Sequence, residues 1–376
     1  MTTTLNARQR FEAVMNDGTP DRVPNWEAGA WPQAIERWES QGLASGTMDN
    51  NWFAGEPTLG LDTREFIAFD KAMVPPFEFK ILEEDEQTRV FQDSSGRIRR
   101  ELKTDKLGSA CMDTYMRHAV DSPQTWQAVK QRLDPYDPSR LSATWRDQIP
   151  HWQQREHPLI FGPNTSTEGF FWFARTLMGT EDLSYAWYDQ PKLMHEMMAF
   201  QANFLIESSR PILEDPNVDI DYICLAEDLA MKTGPLLSPD TYRDFILPHL
   251  RRVIDFYRSN GVKHICIDSD GNFEVFLPLM MDAGVDAIWP MERAAGMDPN
   301  ALRQEFGRDL RLWGGVDKRE LTKDRATTEA HLRTLMPLIE QGRFIPTVDH
   351  TVPPDVGYPQ FLDYMDCKAR LLKGQL

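Results

Sequence analysis

The chain is short of positive charge: 41 Lys and Arg stand against 58 Asp and Glu, a formal net charge of −17 over 376 residues. Nucleic acid and anionic membranes both require a basic face, so neither is expected as the main partner. No stretch approaches 18 consecutive apolar residues, and the opening Met1-Thr2-Thr3-Thr4-Leu5-Asn6 carries no apolar signal core, so a cytoplasmic protein is expected. Cysteine is scarce. Cys111, Cys224, Cys266 and Cys367 are far apart with no CxxC pair, which removes a disulfide framework and a zinc knuckle. A P-loop, GxGxxG, GxSxG and HExxH are all missing. Nucleotide-driven, Rossmann-type and serine-hydrolase chemistry therefore lack their motifs, and no nucleotide cofactor is expected.

What is present is clearest in the last third. Four apolar runs, Val262–Ile267, Val285–Trp289, Leu310–Trp313 and Arg343–Val348, each end in a polar cluster. Helix-like segments lie between them at Phe273–Ala283, Pro299–Phe306 and Thr328–Gln341. Strands alternating with helices imply βαβ units and a parallel sheet. Earlier runs extend the pattern: Arg22–Glu27, Phe66–Phe69, Pro158–Phe161 and Asp219–Leu225. The strand ends are then Glu27, Asp70, Asn164, Glu227-Asp228, Asp268 to Asp270, Glu292, Asp317 and Asp349-His350. Eight strands predict an α/β fold, a (β/α)8 TIM-type barrel whose catalytic face is the carboxyl end of its strands. A helical extension precedes it over Asn6–Asn16, with Asn6 as cap. Residues of about 75–110 alternate across tight turns and predict an antiparallel β-meander inserted near the barrel mouth. No linker divides the chain, so residues 1–376 are expected to form one domain.

Carboxylates and a histidine carry the expected chemistry. Asp268 and Asp270 are alternate residues and share a face. Two carboxylates so close either bind a divalent cation or raise one pKa and leave a proton donor. Glu227 and Asp228 end the preceding strand and offer a base or ligand, or a simple ion pair with Lys232. His350 is held by the extended Val352-Pro353-Pro354 segment that follows. Asp268, Asp270, His350, Glu227 and Asp228 are the catalytic candidates, and Asp268, Asp270 and His350 the candidate metal ligands. Trp26, Glu27, Asn164, Phe170, Trp172, Glu292 and Asp317 are the candidate substrate contacts. His264 and Cys266 form an HxC pair, but they stand in mid-strand and are read as core.

These segments resemble the uroporphyrinogen decarboxylase-like superfamily. The resemblance rests on Asn6–Met15 with Pro20-Asp21-Arg22-Val23-Pro24, then Gly284-Val285-Asp286-Ala287, Trp313-Gly314-Gly315-Val316-Asp317 and Val352-Pro353-Pro354-Asp355-Val356. It implies the same barrel, often as a homodimer. True decarboxylases of the family carry an early Arg-rich segment for substrate carboxylates, where this chain reads Trp26-Glu27-Ala28-Gly29-Ala30-Trp31. The cobamide-dependent methyltransferases bind zinc through an HxCG pair and a later Cys. Those positions match Asp268-Ser269-Asp270-Gly271 and His350 here, an oxygen-richer ligand set for zinc or another divalent ion.

The resemblance thus implies a methyltransferase or demethylase acting on a small O- or N-methylated compound. A cobamide, or a corrinoid protein as partner, would carry the methyl group. A cofactor-free carboxy-lyase and a non-catalytic tetrapyrrole- or corrinoid-protein-binding module are the alternatives.

Overall fold

The computed structural model describes residues 4–103, 113–162 and 167–376. Its strands in chain order begin with β1 (Glu65–Ile67), β2 (Lys80–Glu84), β3 (Thr88–Gln92), β4 (Ile98–Leu102) and β5 (Thr114–Arg117). They continue with β6 (Leu159–Phe161), β7 (Thr167–Glu168), β8 (Tyr222–Ala226), β9 (Ala230–Met231) and β10 (Gly234–Pro235). The last four are β11 (His264–Asp268), β12 (Ala287–Trp289), β13 (Arg311–Trp313) and β14 (Phe344–Ile345). The central sheet runs β1-β6-β8-β11-β12-β13-β14, parallel throughout, with β7 beside β8. Sequence order equals spatial order and helices fill the crossovers, which is the TIM-type arrangement.

The expected first strand needs correction. Residues 22–27 form no ladder strand, although the segment closes the ring between β14 and β1. On one side Asp62 N donates to Asn25 O (2.9 Å); on the other Val352 N donates to Gly29 O (2.9 Å). Pro24 has no N–H to give a ladder. The Asp62 carboxylate substitutes by accepting from Asn25 N and from Arg22, each at 2.7 Å.

Strand periodicity divides the core in two. Along β11, His264, Cys266 and Asp268 face one way; Ile265 and Ile267 face the helical shell. The barrel interior is packed by Trp26, Ile160, Tyr222, Cys224, Cys266, Ala287, Trp313 and Ile345. Phe11, from the helix Ala7–Met15, joins this group, its ring 5.3 Å from Trp26 and 5.6 Å from Tyr222. That helix starts on Asn6, the expected cap, which forms a reciprocal capping box with Gln9. Cys266 is fully buried, and burial pushes its thiol well above the ordinary value, so it is an inert core group. His264 is also buried, and its Nδ1 lies 2.9 Å from Asp286 Oδ2.

The meander β2-β3-β4-β5 is antiparallel and extends past residue 110 to Arg117. Arg132 lies 4.3 Å over the Phe77 ring and ties the start of this insertion to the barrel side. The helix expected over 328–341 is two helices, Arg325–Arg333 and Met336–Gln341, parted where Pro337 withholds an N–H. Among the described residues no helix is long and apolar enough to cross a membrane.

Candidate functional site

The carboxyl ends of β8, β11, β12 and the segments after β13 and β14 converge on a cluster of ionisable groups. At its centre His350 Nε2 lies 3.6 Å from Asp270 Oδ2, a little beyond hydrogen-bond length. Both side chains are part-exposed at the barrel mouth. Asp228 stands beside them with a left-handed backbone (φ 46°), a conformation that Asp tolerates better than most residues. Its Oδ2 accepts from Arg175 at 2.6 Å, and its Oδ1 faces Asp270 N at 3.5 Å. Glu292 accepts from Gly271 N at 3.0 Å and pairs with Lys318 at 3.3 Å. Gly271 is required here: at φ 72° an added Cβ would lie 2.5 Å from Ala230 O.

This arrangement separates the two central pKa values. Burial, then the charges of Asp228 and Glu292, push Asp270 up to about 7, against the opposing pull of Lys318 and Arg175. Burial and Lys318 push the His350 imidazole below its ordinary value, while Glu292 and Asp228 resist. Near neutral pH the pair therefore offers a carboxylic acid facing a neutral imidazole. One can give a proton and the other can take it.

Several expected site residues lie elsewhere. Glu227 is fully buried and does not join Asp228; its oxygens accept from Phe170 N (3.0 Å) and Phe171 N (2.7 Å) at the start of the helix Phe171–Met178. Burial raises it to about 7 against those hydrogen bonds. Glu27 is likewise an anchor. It is 1 % exposed, pairs with fully buried Lys368, and takes hydrogen bonds from Tyr364 and Val348 N. Asp317 turns to Arg319, its Oδ2 2.7 Å from the guanidinium, so it is a latch after β13. Phe170 is fully buried in the outer core. Trp172 lines a groove with Arg97, Tyr115 and Arg175, between the meander and the helix that carries Arg175. Asn164 lies outside the described residues.

Asp268 is 8 % exposed, inside the barrel and in register with Trp289. It does not complete a compact ligand set. Among the described residues the one group of three His, Cys, Asp or Glu donors mutually within 4.8 Å is elsewhere, at Glu65, His151 and His157. Asp268, Asp270 and His350 do not form such a group of donors mutually within 4.8 Å.

A small cavity of about 30 Å³ lies within the barrel, lined by Trp26, Phe53, Arg64, Tyr222, Trp289 and Trp313. Trp26, expected as a substrate contact, is among its lining residues and is itself buried. Arg64 was not anticipated. It is 8 % exposed, with its guanidinium 4.3 Å over the Trp26 ring. Its polar contacts are long, 3.4 Å to Tyr222 Oη and 3.4 Å to Glu27 O, and its buried Nε has no partner. The usable signal was period two: Phe66 packs inward, and Arg64, two residues earlier, shares its face.

Comparison with known proteins agrees with this architecture. The family model for uroporphyrinogen decarboxylase (URO-D) matches residues 166–367. A methyltransferase from Methanosarcina mazei superposes with a TM-score of 0.59 over 97 % of this chain and 99 % of its own, at 14 % identity. A B12-independent methionine synthase from a Shewanella species covers 62 % of this chain and 66 % of its own, with TM-score 0.41 and 14 % identity. Among curated proteins, none matches.

Proposed function

The chain belongs to the uroporphyrinogen decarboxylase family, and from that premise we propose that it is a demethylating methyltransferase for a small O- or N-methylated compound. The observation that carries the proposal is the Asp270–His350 pair at the barrel mouth, 3.6 Å apart. The methyl acceptor in this reading is a cobamide or similar carrier, which supplies a nucleophile strong enough to displace an ether oxygen. The chain's own residues bind the substrate and handle the proton. For a methyl ether, the C–O bond breaks as the methyl passes to the acceptor, leaving an alkoxide or phenoxide. Asp270, still substantially protonated near pH 7, gives that oxygen its proton. The Asp270 carboxylate left behind regains its proton from solvent after product leaves, and neutral His350, 3.6 Å away, can relay it. No step is routed through a metal ion.

Arg64 sharpens the substrate class. A buried guanidinium whose polar contacts are long and whose Nε lacks a partner gains from meeting an anionic ligand. Indole and phenol walls at Trp26, Tyr222, Trp289 and Trp313 would suit an aromatic ring or a methylated ammonium, but the cavity of about 30 Å³ must open to admit either. The favoured ligand therefore joins a methylated end with a carboxylate, a methoxybenzoate or a betaine-like compound.

Arg64 also favours a second reading, a carboxy-lyase. There Arg64 holds the scissile carboxylate and Asp270 protonates the carbanion as carbon dioxide leaves. The two readings separate by product. The protein is supplied with a methoxybenzoate, a betaine and reduced cobamide, and methylcobamide and carbon dioxide are measured. Methylcobamide formation supports the first; carbon dioxide without methyl transfer supports the second.

A further inference from the structure

At the opposite end of the barrel, the amino-terminal ends of β1 and β6 carry a cluster that the proposed reaction does not use. Glu65 opens β1, His157 lies two residues before β6, and His151 projects from the helix Ile149–Gln153. Glu65 Oε2 is 2.8 Å from His157 Nε2 and 3.1 Å from His151 Nε2. One donor atom from each residue lies within 4.8 Å of the others. The second carboxylate oxygen is engaged, accepting from Trp152 Nε1 at 2.9 Å. That bond fixes the plane of the carboxylate and leaves Oε2 aimed between the two imidazoles.

We propose that Glu65, His151 and His157 bind a divalent transition-metal ion, zinc by ligand chemistry, at the amino-terminal face of the barrel. Two imidazole nitrogens and one carboxylate oxygen are a donor set that zinc accepts, with the remaining position open to water. An ion about 2.0–2.1 Å from each donor separates neighbouring donors by about 3.3–3.4 Å. The observed 2.8 and 3.1 Å contacts need only a small opening to admit it. Trp152 plays the outer part that ligating carboxylates require, a hydrogen bond that orients the ligand. His151 is 57 % exposed and Glu65 26 %, so an ion can enter from solvent.

The consequence is a cross-link. The β1–β6 ladder is only three residue pairs long, from Glu65↔Leu159 to Ile67↔Phe161. A metal joining Glu65, His157 and the helix bearing His151 fastens this short pairing at its start. It does so at the far end from Asp270 and His350, and the inference does not depend on how those residues act.

The test uses tag-free protein stripped with a chelator, titrated with zinc by calorimetry and with cobalt by visible absorption. We expect one equivalent of tight binding, an upward shift in Tm with zinc, and the absorption of a low-coordinate cobalt ion. His151→Ala removes the most exposed ligand, and it should weaken binding by more than the roughly tenfold to 100-fold that loss of an outer partner such as Trp152 costs. Asp270→Asn with His350→Ala should leave this binding unchanged. Anomalous scattering at the zinc edge should place the ion between Glu65 and His157. Zinc affinity unaltered in H151A, zinc lost instead in the Asp270/His350 variant, or no binding to stripped wild type would each overturn the proposal.

Discussion

His350 Nε2 and Asp270 Oδ2 face each other across 3.6 Å, although 80 residues separate them and each follows a different strand. Burial, then its carboxylate neighbours, raise Asp270 to about 7, and burial, then Lys318, lower the His350 imidazole. Asp270→Asn keeps the shape and removes the proton. The expected result is a loss of about 10²–10⁴-fold in kcat, the usual worth of a positioned acid, with the circular dichroism spectrum unchanged. A variant that turns over normally contradicts the role given to Asp270.

The same raised pKa has a stability consequence. A carboxyl whose folded pKa exceeds its unfolded value binds more protons when folded, so stability falls as pH rises through the interval between them. For Asp270 that interval runs from the ordinary 3.8 to about 7. D270N should therefore melt above wild type at pH 8, and the gap should be smaller at pH 5, closing only toward pH 4. Thermal melts at both pH values check this, and an equal gap at both would contradict it.

Glu227 should behave as an anchor. Glu227→Ala leaves the buried amides of Phe170 and Phe171 without their acceptor, at about 1–3 kcal/mol for each unsatisfied group. Denaturant titration should show the loss, while folded protein retains its KM. A selective effect on kcat with stability intact would return Glu227 to the chemistry.

Arg64 should act on binding. Arg64→Met should raise KM for a carboxylated substrate by roughly tenfold or more, since a charge-assisted hydrogen bond is worth about 1.5–3 kcal/mol. An analogue lacking the carboxylate should not distinguish wild type from variant. Equal effects on both ligands would show that Arg64 serves only the packing around Trp26.

Much of the barrel is legible in the sequence because burial on both faces of parallel strands leaves apolar runs. The runs at 262–267, 285–289 and 310–313 fall on β11, β12 and β13 for that reason. The segment at 22–27 misleads because its apolar pattern is that of a strand, while Pro24 makes its hydrogen bonding irregular. Side-chain direction at the strand ends is harder. Glu227 and Asp228 are neighbours, yet one caps a helix and the other faces Asp270, which depends on the left-handed backbone at Asp228. Asp268 and Asp270 share a strand face only while the strand lasts, and β11 stops at Asp268. The lone Arg64 has no motif, and its burial follows from strand pairing across the ring. The Glu65, His151 and His157 cluster joins a strand start, a helix and a loop, a proximity that sequence spacing does not encode.

The central claim is that Asp270 supplies the proton to the departing oxygen, and single-turnover methyl transfer from a methoxybenzoate to reduced cobamide tests it most directly. The account predicts a rate that falls as pH rises through about 7, where Asp270 loses its proton, and a D270N enzyme that is slow and flat across the same interval. A pH-independent wild-type rate, or a D270N enzyme that keeps the wild-type profile, would contradict it.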